Sequence, residues 1–128
     1  MAVIRRCFLV LVSLVTGGCA PKAVDVPPRA PNPNGCYVVI YDRPEFRGTG
    51  DVLNGPGRWP TLDGLRGTNI ANWRDMIRSL RVGESATVLA YTEENLAGRS
   101  MRFEAGAAQR ELETIMAGRV KSLELNCR

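Results

Sequence analysis

A chain of 128 residues with no histidine has little to do chemistry with. It lacks the commonest general base and the commonest metal ligand. Its carboxylates come in close pairs, Glu93 with Glu94 and Glu111 with Glu113. Neighbouring charges of this kind form a solvated turn, whereas acid–base catalysis needs two groups held apart around a substrate. Gly-x-Ser-x-Gly, His-Glu-x-x-His and the phosphate loop are all missing, and Gly55-Pro56-Gly57 is a turn signal. The sequence therefore points away from an enzyme and from any cofactor. The remaining groups with distinctive reactivity are four cysteines, at 7, 19, 36 and 127.

The first two cysteines fall in and just after a leader. Arg5 and Arg6 precede an apolar run over residues 7–15 that only Ser13 interrupts, and small residues follow. This reads as a signal peptide over residues 1–18, too short to span a bilayer. Thr16-Gly17-Gly18-Cys19 resembles a bacterial lipobox, with Thr16 where that pattern usually carries leucine. The resemblance implies diacylglycerol on the Cys19 sulfur, cleavage before it and acylation of the new amine, and two or more chains anchor stably. Ala20 in place of aspartate after the cysteine points to the outer membrane, by similarity to lipoprotein sorting. A plain secretory signal with a chance cysteine is the alternative. Residues 19–34 form the lipidated end and a tether holding five prolines. In polyproline II, at about 3.1 Å per residue, it reaches roughly 45 Å.

The rest of the chain, residues 35–128, is long enough for one modest core. Four of the 17 basic residues and one of the 13 acidic ones precede it, which leaves it a single positive charge. That near-neutral balance argues against nucleic acid as a partner. Val38 and Ile40, Val52, Leu80 and Val82, Val88 and Ala90, Met101 and Phe103, and Leu123 and Leu125 alternate with polar residues between glycine-rich breaks, the pattern of antiparallel strands. Ala108, Leu112, Ile115 and Met116 instead keep helical spacing and Gly118 follows, so one short helix is expected in the second half.

One pattern occurs twice. Tyr41, Phe46 and Gly48 recur as Tyr91, Leu96 and Gly98, and each set is followed by a Ser-Leu pair on a strand, beginning at Ser79 and Ser122. Rings five residues apart can pack across a tightly folded hairpin in which glycine gives the backbone its freedom. The constellation resembles the Greek key of the βγ-crystallin superfamily, with motif 1 over about residues 36–83 and motif 2 over about 86–127. The resemblance implies an all-β, two-sheet Greek-key sandwich. In it each serine bonds back to its hairpin and each motif lends a strand to the other's sheet. The second motif, with Leu96 at the aromatic position, is expected to pin its hairpin less tightly.

Cys36 shares phase with Val38 and Ile40, and Cys127 with Leu123 and Leu125, so both are expected to face the core from the end strands. A disulfide between them suits an oxidising compartment. It would stabilise the fold by on the order of 4 kcal/mol in the chain-entropy model. A reactive thiol pair or a metal site is the less favoured account, because structural zinc wants four ligands.

Many microbial members of the superfamily bind calcium through oxygen ligands just before the motif serine. The matching stretches here put Arg78 and Lys121 next to Ser79 and Ser122 and keep Asp75 as the one acidic ligand. Positive charge repels Ca²⁺, so both calcium positions are expected to be degenerate. The long connection over residues 54–72 offers Trp59 as a partner-binding candidate, with core packing the competing account, while Trp73 is assigned to the core. The function read from the sequence is a non-catalytic envelope lipoprotein displaying a structural or protein-binding domain to an unknown partner. One alternative is inhibition of a secreted metalloproteinase, since small bacterial inhibitors of that kind are similar in fold. A calcium-binding envelope protein is a further one.

Overall fold

The computed structural model describes residues 30–128. The leader, Cys19 and most of the proline-rich segment lie outside the described residues. Eight strands follow one another: β1 (Tyr37–Arg43), β2 (Arg47–Asn54), β3 (Gly57–Trp59), β4 (Ser79–Val82), β5 (Ala86–Glu93), β6 (Ala97–Phe103), β7 (Ala108–Gln109) and β8 (Ser122–Cys127). They form two four-stranded antiparallel sheets, ordered β2-β1-β4-β7 and β3-β8-β5-β6. β3 thus leaves motif 1 to pair with β8, and β7 leaves motif 2 to pair with β4. Neither half can complete its own sheet alone.

Alternation places the core. Val38 and Ile40 on β1, Leu80 and Val82 on β4, Val88 and Ala90 on β5, and Leu123 and Leu125 on β8 are buried between the layers with Trp73, Ile77 and Phe103. On β2 the expected phase is inverted: Val52 is half-buried, and Asp51 and Leu53 point inward. One residue of offset moves a side chain to the other face, and here it sends a carboxylate inside. Asp51, 2% exposed, accepts the backbone N–H groups of Asn69 and Ile70 at 2.7 and 2.9 Å and the indole N–H of Trp73 at 2.8 Å. Three donors satisfy the buried charge, as burial requires. They also stitch the longest connection to β2 and seat Trp73 in the core.

That connection differs from the sequence reading, because its early part is strand β3, carrying Trp59 opposite Leu123. The expected helix does not form. Ala108 pairs with Arg81 as part of β7, and the Leu112 N–H donates to the Arg78 carbonyl at 2.9 Å. Two separate commitments to motif 1 thus remove the first half of the helical pattern. What remains is a turn over residues 114–119, with the Ala117 N–H donating to Glu113 at 2.9 Å. It buries Leu112 and Met116 and leaves Ile115 40% exposed. A single turn is too short to persist as an isolated helix and gains its stability from this burial.

The chain ends meet. Cys36 and Cys127 form a disulfide with Cα atoms 5.4 Å apart, closing a separation of 91 residues. Cys36 is fully buried, but Cys127 is exposed, contrary to its apolar phase. β3 pairs with β8 only as far as Leu125, so Cys127 keeps a single strand neighbour, Ala86 at the start of β5. The tether also ends earlier than expected. Asn32 donates from its backbone to Asn54 Oδ1 and from its side chain to the carbonyls of Cys36 and Gly55, and Asn54 Nδ2 donates to Ala30 O. Residues 30–34 are therefore part of the domain surface.

Both serines are buried beneath the hairpins they were expected to hold. Ser79 Oγ accepts the Phe46 N–H at 3.1 Å and donates to Arg43 O at 2.6 Å. Ser122 Oγ accepts the Leu96 N–H at 3.0 Å and donates to Glu93 O at 2.5 Å. Ser79→Ala leaves one donor and one acceptor without partners under the hairpin, a loss of about 1–3 kcal/mol. Denaturant unfolding should show a lower midpoint at an unchanged slope.

Candidate binding surface at the hairpin end

The sequence tips each hairpin with residues that resist the required backbone. Glu45 and Phe46 have φ of 61° and 59°, and Asn95 and Leu96 have 62° and 57°. Left-handed geometry costs a residue with a Cβ of the order of 1–2 kcal/mol, so each tip must be held from outside. The second residue of each pair is held by its serine. The first is held by the other motif: the Glu45 N–H donates to Arg110 O at 2.7 Å, and the Asn95 N–H donates to Pro60 O at 2.8 Å. Gly48 and Gly98 follow with φ of 77° and 83°. At Gly48 a Cβ would run into the Asp42 carboxylate, which caps the Thr49 N–H at 2.8 Å. Thr92 does the same for the Arg99 N–H at 2.9 Å.

Between the hairpins lie two turns that hold each other. The Asp75 N–H donates to Val120 O at 2.9 Å, and the Gly118 N–H donates to Ile77 O at 3.0 Å. This reciprocal pair relates the two halves at the end of the sandwich opposite the disulfide. Asp75 and Gly118 adopt the same left-handed backbone, with φ of 64° and 67°.

The side chains on this frame are not equivalent. In motif 1 the rings of Tyr41 and Phe46 meet edge to face at 5.7 Å, and the Arg81 guanidinium stands 3.7 Å over the Phe46 ring. In motif 2 Tyr91 and Leu96 have no such ring pair. The structure brings two of the three degenerate calcium residues together: Lys121 Nζ lies 3.0 Å from Asp75 Oδ1. An ammonium is thus bound to the one acidic ligand, while Arg78 lies beside Gly118. Among the described residues no three Asp, Glu, His or Cys side chains converge.

Trp59 is half-buried against the core and lines a groove of about 290 Å³ with Val52, Leu65 and Arg66. It serves the core and the surface together. A larger open groove, about 530 Å³, lies beside the second hairpin and is lined by Arg99, Ile115, Arg119, Lys121 and Glu93 among others.

Glu94 ties the second hairpin to the long connection: Arg74 Nη1 and Thr61 Oγ1 both reach its Oε2 at 3.0 Å. The Arg74 hydrogen bond, then that of Thr61, holds the Glu94 carboxyl below the ordinary glutamate range, and Glu94 in turn raises Arg74. Because the folded value is depressed, this contribution to stability is present above the unfolded glutamate value, about pH 4.3, and is lost as pH falls through the folded one. Sequence reading missed these ties, since partners 33 and 20 residues away leave no local pattern. The inward Asp51 did leave a signal, standing two places before Leu53 in the buried phase. In a carboxyl-detected NMR titration Glu94 should have a lower midpoint than an unpaired glutamate, and Arg74→Ala should raise it.

No family model and no curated protein matches the sequence. Solved structures do match the fold. A βγ-crystallin domain from Flavobacterium johnsoniae is similar at 22% identity and a TM-score of 0.60, over 73% of this chain and 96% of that one. The N-terminal domain of protein S matches at 22% identity and a TM-score of 0.59, over 71% and 96% of the two chains. A βγ-crystallin domain from Clostridium beijerinckii matches at 23% and 0.58, over 69% and 94%. With the exchanged third strands, the serine-held hairpins and the paired turns already in place, these likenesses lead to one conclusion: the chain has the βγ-crystallin fold.

Proposed function

We propose that this protein is a non-catalytic lipoprotein of the bacterial cell envelope, held to the outer membrane through an acylated Cys19. Its βγ-crystallin-fold domain serves as a structural or protein-binding module. The observation that carries the reading is the disulfide between Cys36 and Cys127. Such a bond persists in an oxidising compartment, in agreement with an exported chain whose first 19 residues carry the features of a lipidated leader. The docking of residues 30–34 beside Asn54 supports the same geometry. It leaves residues 20–29 as the leash, with a reach of roughly 30 Å as polyproline II, joined to the domain at the end opposite the hairpins.

Calcium has no part in this reading. The Lys121 ammonium on Asp75 supports a site that charge has closed. Calorimetry on the full chain in detergent should show no sub-micromolar calcium binding. Lys121→Ser, which frees Asp75 and adds a hydroxyl, should raise calcium affinity relative to the parent, and an unchanged affinity would count against charge as the block.

The anchor is tested by Cys19→Ser. Membrane fractionation should find the variant in the soluble envelope fraction, while the parent sediments with membranes. Retention of the variant would sink the lipidation.

A further inference from the structure

Thirteen cations stand among the described residues, and six of them are engaged by a carboxylate or a ring. Among the described residues Arg58, Arg74, Arg102, Arg110 and Lys121 each meet a carboxylate, and Arg81 is engaged by the Phe46 ring. Arg99 and Arg119 make no ion pair among the described residues, and the fold brings both to one open groove of about 530 Å³. Lys121 adds a third cation there, already shared with Asp75, and Glu93 is the one carboxylate of the lining. Ile115 lines the same groove and is, among the described residues, one of two large apolar side chains left exposed.

Guanidiniums without structural partners raise the local positive potential and present forks that match carboxylates. An exposed isoleucine beside them adds an apolar contact that a simple ion would not use. The groove is also far from the point where the chain enters the domain. Glu93 ends β5, whose first residue Ala86 pairs with Cys127 at the disulfide end. At about 3.3 Å per residue the groove lies roughly 23 Å from that end, and it is at that end that residues 30–34 bring in the leash.

We propose that this groove docks an acidic, extended segment of a partner protein, whose carboxylates pair with Arg99 and Arg119 and one of whose aliphatic side chains covers Ile115. The proposal rests on the reading of the domain as a protein-binding module and is independent of the lipid anchor.

The probe is a fluorescein-labelled ten-residue peptide alternating glutamate and leucine, titrated by anisotropy against the full chain in detergent at low salt. Saturable binding is expected, weakening as salt is raised. The Arg99→Glu, Arg119→Glu double variant should lose about tenfold or more in affinity, and Ile115→Ser should lose several-fold. Arg66→Glu, in the separate groove beside Trp59, should bind as the parent does. All four side chains are exposed or line open surface, and an unchanged near-ultraviolet circular dichroism spectrum confirms the fold of each variant. Parent-like affinity of the double variant overturns the proposal, as does equal binding of a glutamine-for-glutamate peptide. Capture of phosphatidylglycerol vesicles through Arg99 and Arg119 in place of the peptide would assign the groove to lipid and overturn it too. Retention of Cys19→Ser in membranes would remove the anchor without touching these measurements.

Discussion

A serine hydroxyl that donates in one direction and accepts in the other is the interaction on which each half of this domain depends. The hairpin tips require two successive residues in left-handed geometry, and neither Glu45-Phe46 nor Asn95-Leu96 contains a glycine to make that easy. The conformation persists because both of its N–H groups are captured, one by the serine below and one by a carbonyl of the opposite motif. The same hydroxyl donates back to the strand that enters the hairpin. Local strain is thus offset partly within each motif and partly by contacts that exist only when both halves are folded.

Interdependence of the motifs runs through the rest of the molecule. β3 and β7 each complete a sheet begun by the other half, and the disulfide joins the strand that opens the domain to the strand that closes it. Within motif 1 the buried Asp51 takes this further. Its carboxylate organises the long connection by accepting two backbone N–H groups and the Trp73 indole. An apolar residue there could fill the space but could not hold the loop.

Against this near-symmetry of backbone, the side chains diverge. Motif 1 spends an aromatic pair and an arginine on its hairpin. Motif 2 has leucine at that place, and its turn over residues 114–119 borders an open basic groove. At the turns between the hairpins a lysine is paired with the Asp75 carboxylate. One backbone therefore carries a consolidated half and a half with open, charged surface.

By themselves the residues of this chain determined much of the architecture. Period-two burial, the doubled Tyr-to-Gly spacing, the two serines and the pair of terminal cysteines were legible because each is a local rule or a repeat, and the structure brings them together as those rules demand. Other features were settled by distant contacts. The helical pattern after Ala108 yielded because β4 takes Ala108 and Gln109 and Arg78 takes Leu112. The inward turn of Asp51 depended on donors 18 to 22 residues away. Cys127 is exposed where β8 has run past its pairing with β3. The grouping of Arg99 with Arg119 joins segments that share no spacing. In each case the deciding partner lies far along the chain, and tertiary packing alone makes it a neighbour.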